Sequence, residues 1–571
     1  MLNSIEANNL KDKVGWLCII GSLVLYFLFR LPFDLSVLCS SPNEGYYFIH
    51  AQYFLNGEKY VYAGGPLFLF LYASVLKIFG FGTWSILAVH FICSFVIILI
   101  GILIFLITRK IFQSIFWSGL SVLIWLLMQV TPIGGWTQAE ELRAFLVLEP
   151  EYFCILLSLS SIYCLLTAIE QRGKWTYPLL AGLLALFSFM FKASGCVLIV
   201  AFFCWGVYLL LTDIRLLDKY KHIFISMFLA IFIGIISFCI LVCFLKKGEF
   251  LSYWKIFFSV GSYSTEFAES FTSFLSCLAN FISRYTFSLS NIFLFLSALM
   301  FLIWGLIRNY FVKTTNLYLK LFCPLLSIWG IGSIGGVIAP GSYAPYYYIL
   351  VWPSAAIFLV LGIKDIFNYV GFLQKKIPLT VTILILVLFF TQRLYVIFPA
   401  YIKMVKETIN LNCFLQPESF QDPIKSVNEK VSNSKRPYFL KLADLINFYL
   451  PNKRDTVYIV DFSNDFYFLR PDFYLYVKRF PPTPVVNDYL HYKRYLYRRV
   501  NVLIDNLSKA PPKIIVLPQI FYLESRQDPS LKPFFIWLKQ FLKQNYHLKH
   551  TLNFMIPGLN KEEAFILFER S

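Results

Sequence analysis

Eleven apolar runs dominate this chain, near 14–33, 84–107, 114–130, 152–169, 177–191, 195–211, 223–245, 290–307, 320–338, 346–363 and 378–399. A helix needs about 20 mostly apolar residues to cross a bilayer, and most of these runs meet that length. Lys192 and Gly195 interrupt the stretch 177–211, which therefore reads as two spans with a tight turn between them. Only 14% of the 571 residues are charged, against roughly 25% in soluble domains. The expected fold class is an α-helical polytopic membrane protein, integral to the membrane.

The net charge of +18 invites a nucleic-acid reading. The placement of the charges argues against it. Lys and Arg cluster in short loops between apolar runs, as the positive-inside rule requires. With the N-terminus inside, the inner segments hold fourteen basic residues and the longer outer loops only eight. Eleven spans then put the C-terminus outside. The first run lacks a small-residue cleavage site and reads as a retained helix rather than a signal peptide. Nine of the twelve Cys lie in apolar runs, where they act as small hydrophobes. Cys39, Cys277 and Cys413 lie outside or at the edges, and nothing in their spacing supports a disulfide or a metal site.

Beyond about residue 400 the charges become frequent and the long apolar runs stop. The expected organisation is a membrane domain over 1–400, with a long outer loop at 34–83, and a soluble outer α/β domain over 401–571. Short buried strands are expected at 456–460, 513–517 and 564–568, and helices at 437–449, 492–508 and 531–545. The alternation suggests a small layered domain. It contains no GxGxxG, P-loop or nucleophile elbow. The sequon Asn506-Leu507-Ser508 falls in one of the expected helices.

Several polar groups stand out against this background. Ser41-Pro42-Asn43-Glu44 reads as a capping box with Pro at the first helical position. Glu44 is thus either a cap or a catalytic carboxylate that the cap aims. The following helix puts Tyr47, Phe48, Ala51, Phe54 and Leu55 on one face, which suggests that it lies in the membrane interface. Glu149 and Glu151 flank Pro150 at the outer entrance to the fourth span. They are favoured there by the helix dipole, and near-membrane carboxylates also point to function. Glu140 and Glu141 in the same loop read as solvated. Lys192, Arg30 and Arg393 sit near outer ends of spans. Each either snorkels or holds an anionic headgroup. Tyr343 and Tyr346–Tyr348 read as interface-belt tyrosines or as a sugar platform. Of the six His, only His50 falls near the first-loop carboxylate, and no zinc motif is visible.

Four pieces together resemble the GT-C membrane glycosyltransferases, in particular bacterial relatives of the protein O-mannosyltransferases and aminoarabinose lipid A transferases. They are Asn43-Glu44-Gly45-Tyr46-Tyr47, Leu55-Asn56-Gly57-Glu58-Lys59-Tyr60, Gly65-Pro66-Leu67 and Lys77-Ile78-Phe79-Gly80. Glu149-Pro150 resembles the family's second acidic site, and Phe191-Lys192-Ala193-Ser194-Gly195 its Lys-x-x-Gly turn. The stretch from Ala443-Asp444-Leu445-Ile446 to Pro511-Pro512-Lys513-Ile514-Ile515-Val516 is similar to the soluble outer domain of many bacterial members. The resemblance implies transfer of a sugar from a polyprenyl-phosphate donor to a lipid, glycan or protein acceptor at the outer face, with inversion. It implies Glu44 as base, Glu149 as acceptor-positioning or metal-binding group, and Lys192 as phosphate clamp. Asn43, Tyr346, Arg30 and His50 are further substrate-binding candidates. A divalent metal is compatible with the family, since some relatives use one, but no residue pattern here demands it. One departure matters. The family usually carries Asp-Glu in the first loop and assigns catalysis to the Asp, where this chain has Asn43. Asn cannot be a general base. Either Glu44 takes that role, or this branch works differently, or the chain is inactive; Asp34 is a substitute candidate. A non-enzymatic carrier or flippase of lipid-linked glycans shares the spans and the basic groups and is the competing reading.

Overall fold

The computed structural model of the chain describes residues 2–36, 42–57, 65–129, 148–171, 174–246, 289–312, 316–338, 345–371, 398–399, 401–403, 405–406, 409, 438–452, 454–460, 473–479, 481–482, 496–518, 532–556 and 561–571. They fall into two compact units. The first gathers Met1–Asp34, Val61–Phe68 and His90–Val405; the second gathers Leu35–Tyr60, Leu69–Val89 and Lys406–Ser571.

The first unit is a helical bundle. Its helices are α1 (Leu2–Asp34), most of α4 (Thr83–Phe112), α5 (Ile115–Gln129), α6 (Pro150–Glu170), α7 (Thr176–Phe191), α8 (Cys196–Thr212), α9 (Ile214–Lys246), α10 (Leu289–Phe311), α11 (Leu317–Ile338) and α12 (Trp352–Gly371). Among the described residues, six helices are long and apolar enough to cross a membrane: Asp12–Asp34, Trp84–Phe112, Pro150–Glu170, Ala193–Thr212, Ile214–Ile240 and Leu317–Ile338. The chain is an integral membrane protein. The split expected within 177–211 is present, since α7 ends at Phe191, a 3-10 turn covers Ala193–Gly195 and α8 starts at Cys196. The expected run 346–363 begins later than the pattern suggested. A 3-10 turn over Pro345–Leu350 precedes α12, because Pro353 occupies the second position of that helix and favours a fresh start there. The expected span 378–399 lies almost wholly outside the described residues.

Polar caps lock one end of this bundle. Asn316 caps α11 through its Oδ1, which accepts from the backbone N–H of Tyr318 at 2.9 Å, while its Nδ2 donates to the carbonyl of Ile111 at 2.9 Å. Asp213 caps α9 at the N–H of Leu216 and pairs with Lys320 at 2.5 Å. Glu170, the last residue of α6, pairs with Lys110 of α4 and accepts from the Tyr318 hydroxyl at 3.0 Å. The contacts of Asn316 and Asp213 to backbone groups satisfy helix-terminal N–H and C=O that have no partner within their own helix.

The second unit holds α2 (Pro42–Leu55), most of α3 (Pro66–Phe79) and the C-terminal layers: α13 (Tyr438–Tyr449), β1 (Val457–Ile459), α14 (Phe473–Val477), α15 (Leu496–Lys509), β2 (Ile514–Pro518), α16 (Lys532–Asn545), β3 (Tyr546–Ile556) and β4 (Lys561–Arg570). The sheet order is β1-β2-β4-β3, with β1 parallel to β2 and the other pairs antiparallel. The three expected strands and three expected helices are present. The strand β3 was not expected, because its alternation of Leu548, His550 and Leu552 with His547, Lys549 and Thr551 is weak and a register shift between Leu548 and His550 breaks it. β2 is buried along its whole length, and Leu442, Ile446, Phe534 and Leu538 bury apolar faces of α13 and α16.

On the face of α2 expected to lie in the membrane interface, Phe48 and Ala51 are buried, Tyr47 and Phe54 are half-buried and Leu55 is exposed. Ile49 and Tyr53 are buried too. Tyr47 and Phe48 meet the ring of Tyr72 on α3, and Phe54 meets Phe70. The Tyr53 hydroxyl donates to the carbonyl of Pro481 at 2.6 Å, and α2 packs on α14.

Candidate functional site

The site in the first unit is built where α6 starts and α7 ends. Pro150 occupies the first position of α6, and Glu149 precedes it with extended backbone. Proline at that position costs no hydrogen bond and presets φ for the helix. The positive end of the helix dipole then faces Glu149 and Glu151, and both carboxylates are buried. α7 stops at Phe191 because Lys192 turns extended, with φ −160° and ψ 150°. Its side chain reaches across to α6 and pairs with Glu151 Oε1. Lys192 keeps 22% of its side chain exposed, whereas Glu151 keeps none. Glu151 Oε2 is buried and has no hydrogen-bond partner among the described residues.

Serines and glycines hold this turn in place. The Ser188 hydroxyl donates to the carbonyl of Cys154 at 3.1 Å and lies 3.2 Å from the Ser158 hydroxyl, so α6 and α7 are joined one turn below the ion pair. Gly65 donates its N–H to the carbonyl of Phe191 at 3.1 Å. A Cβ on Gly65 would stand 2.1 Å from that oxygen, and one on Gly195 would stand 2.3 Å from the Ser188 backbone. Only glycine fits at either place. Phe153 stacks on Phe191 with centroids 4.6 Å apart, and Phe68 meets Phe153 at 6.3 Å. Three separate motifs of the sequence therefore converge: Gly65-Pro66-Leu67, Glu149-Pro150 and Phe191–Gly195. The 3-10 turn that carries Tyr346 packs on α6 and α11; the Tyr346 side chain lies outside the described residues.

Arg30 corrects an expectation. It does not snorkel. It is fully buried one turn from Asp34, to which Nη2 donates at 3.0 Å and Nε at 3.2 Å. Ser94 Oγ donates to the other oxygen of Asp34. The i,i+4 spacing of Arg30 and Asp34 was the available signal. Glu151 pairs with Lys192, a partner that the Glu-Pro-Glu spacing left open.

The other candidates lie on α2, in the second unit. Glu44 sits in its first turn and is buried. His50 is buried and meets the ring of Tyr46 edge-on at 3.8 Å. Pro42 is the first residue of α2, as the capping reading requires, while Ser41 and the Asn43 side chain lie outside the described residues, as do Glu140, Glu141, Tyr343, Arg393, Cys39, Cys277 and Cys413. Among the described residues no three His, Cys, Asp or Glu side chains are grouped to hold a metal ion.

A family model described as dolichyl-phosphate-mannose-protein mannosyltransferase matches residues 63–238. That stretch contains all three converging motifs. The chain also shares its fold with ArnT from Cupriavidus metallidurans. The structure of that protein bound to undecaprenyl phosphate aligns with a TM-score of 0.52 and 12% identity, over 97% of this chain and 98% of that one. Residues 63–238 thus carry that family's pattern, and the chain as a whole shares the ArnT fold. The apo state of the same ArnT aligns with a TM-score of 0.53, again at 12% identity and over the same shares of both chains. The Archaeoglobus fulgidus oligosaccharyltransferase tethered to an acceptor peptide aligns at 0.44, with 13% identity over 96% of this chain and 74% of that one, too low to bear on the fold. No curated protein matches the chain in sequence.

Proposed function

We propose that this protein transfers a sugar from a polyprenyl-phosphate donor to a lipid, glycan or protein acceptor at the outer face of a bacterial inner membrane, with inversion. The N-terminus is then cytoplasmic, 1–400 with its loop 34–83 is the catalytic domain, and 401–571 is extracytoplasmic. One observation carries the reading: Lys192 is a partly exposed ammonium fixed by a buried carboxylate. Transfer from a lipid phosphate leaves negative charge on the departing phosphate, and a preorganised cation stabilises that charge where little water competes. The Glu151 pair keeps Lys192 aimed. The acceptor hydroxyl needs a base within about 3 Å in the productive complex. Glu44 is assigned that role, since Asn43 has no basic atom, and Glu149 is assigned to position the acceptor. Asn43, His50 and Tyr346 remain substrate-binding proposals, whereas the closed pair with Asp34 leaves Arg30 a structural role.

The test is release of free lipid phosphate from polyprenyl-phosphate sugars by purified protein. Wild type should release it, and Glu44→Gln should release at least about 100-fold less, as expected for loss of a general base. Equal release by both proteins would remove Glu44 from the mechanism. The replacement of Asp by Asn43 favours one second reading, a non-catalytic family member. That reading expects tight binding of the lipid and no release with any donor.

A further inference from the structure

A second charged cluster lies at the opposite end of the bundle. α6 has 21 residues, about 31 Å at the usual rise. Glu149 and Lys192 stand at its start. The pairing of Glu170 with Lys110 marks its far end, where α4 also ends. There Arg308 on α10 grips Asp365 on α12 with two bonds, Nε to Oδ2 at 2.6 Å and Nη2 to Oδ1 at 2.9 Å. Trp304 donates its indole N–H to the same carboxylate at 3.1 Å. Lys364, the neighbouring residue, donates to the carbonyl of Phe112 at 3.2 Å and lies 5.4 Å from the centre of that ring.

The charges here do not balance. Arg308 pairs with Asp365, whereas Lys364, next to it in sequence, has no carboxylate partner of its own among the described residues. Arg308 is 4% exposed, and its Nη1 is buried with no hydrogen-bond partner among the described residues. A buried charged donor left unmet is destabilising. A capping role at the C-terminus of α4 accounts for Lys364. It accounts neither for the idle guanidinium nitrogen nor for the excess charge. Both call for an anion that accepts from a guanidinium and an ammonium together, and phosphate is the common one. Helix ends of a spanning bundle stand at the depth of lipid phosphates. Lys364, only partly buried, is the open side of the cluster.

We propose that Arg308 and Lys364 bind the phosphate of an anionic lipid headgroup at this end of the bundle. The test uses the full-length protein in neutral detergent and reads its unfolding temperature with added phosphatidylglycerol, phosphatidylcholine or inorganic phosphate. A ligand that binds only the folded state raises that temperature. Phosphatidylglycerol should raise it well beyond phosphatidylcholine, and inorganic phosphate should leave it unchanged. Lys364→Ala should lose at least half of the phosphatidylglycerol shift, and Lys364→Arg should keep it. Lys221→Ala, at an exposed pair with Asp218, should also keep it. If Lys364→Ala fails to fold, Lys364→Met retains the stem over Phe112 and serves instead. The proposal is overturned if the alanine or methionine variant keeps the full shift, or if the two lipids act equally. An equal shift with inorganic phosphate overturns the lipid as the source.

Discussion

Two buried ion pairs in the membrane bundle have the same composition of charge and opposite character. Arg30 and Asp34 lie one turn apart on α1, and neither has any exposed side-chain surface. Arg30 gives Asp34 two N–H bonds, and Ser94 supplies another donor. The pair is closed. Lys192 and Glu151 come from different segments, Lys192 retains exposure, and Glu151 Oε2 accepts no hydrogen bond among the described residues. That pair is open. Burying charge is expensive unless pairing and hydrogen bonds are complete. A closed pair fits a structural role. An open one leaves interaction capacity for a ligand.

The largest effect that separates the two is on stability. Asp34→Ala should cost about 3–5 kcal/mol, because it strands a buried guanidinium. Thermal unfolding in detergent should show the loss, and replacing both residues together by Leu should recover much of it. Survival of Asp34→Ala at wild-type stability would mean that the pair is not closed.

The next effect is on turnover. Lys192→Met combined with Glu151→Gln removes both charges of the pair together and should fold nearly as wild type. Lipid-phosphate release should fall about 100- to 1000-fold, the cost of removing one preorganised stabiliser. Normal release by the double variant would make the open pair structural as well.

Gly65→Ala probes the wall behind Lys192. Its Cβ would overlap the Phe191 carbonyl, and the forced shift should cost about 1–3 kcal/mol. Turnover should drop along with stability, since the turn that moves carries Lys192. An unchanged unfolding temperature and rate would show that the turn yields freely.

The smallest effect belongs to a third cluster, on the sheet of the second unit. Lys549 pairs with Glu569 at 2.8 Å, and the Tyr449 hydroxyl bonds to His550 Nε2. The hydrogen bond from Lys549 holds the Glu569 carboxyl below its ordinary value, and burial, with Lys549 beside it, lowers that of His550. Both folded-state values are depressed, so both groups contribute stability above their unfolded values and lose it as pH falls. Stability should therefore decline first below about 6.5, the ordinary histidine range. It should decline again below the ordinary carboxylate range. His550→Gln should flatten the first step and Glu569→Gln the second, as read by unfolding at stepped pH. A decline that neither variant alters would remove the cluster from the pH response.

Most of the architecture was legible in the chain because lipid imposes so strict a rule. Long apolar runs must become helices, and their breaks must fall at residues such as Lys192 and Gly195. The strands with continuous apolar cores, 457–459 and 514–518, were legible for a similar reason. β3 was not, because a bulge disturbs its period. The apolar stripe of α2 was legible, but its distant partner was not: Tyr53 bonds to the Pro481 carbonyl, 428 residues away in sequence. At the site, the residue types and the motifs were visible, but their partners were not. The spacing of Glu149 and Glu151 around Pro150 does not say which carboxylate meets Lys192.

The sequence by itself determined that this is a membrane bundle with a small α/β domain, and that acidic and basic groups punctuate its apolar runs. Periodicity and burial preference are local properties of the chain. Only the tertiary structure decided which charges close on each other and which stay open. Glu151 lies 41 residues from Lys192 and Ser94 lies 60 from Asp34. Such pairings depend on how helices cross, and helix crossing is set by packing, including the close approach of Gly65 to the Phe191 carbonyl.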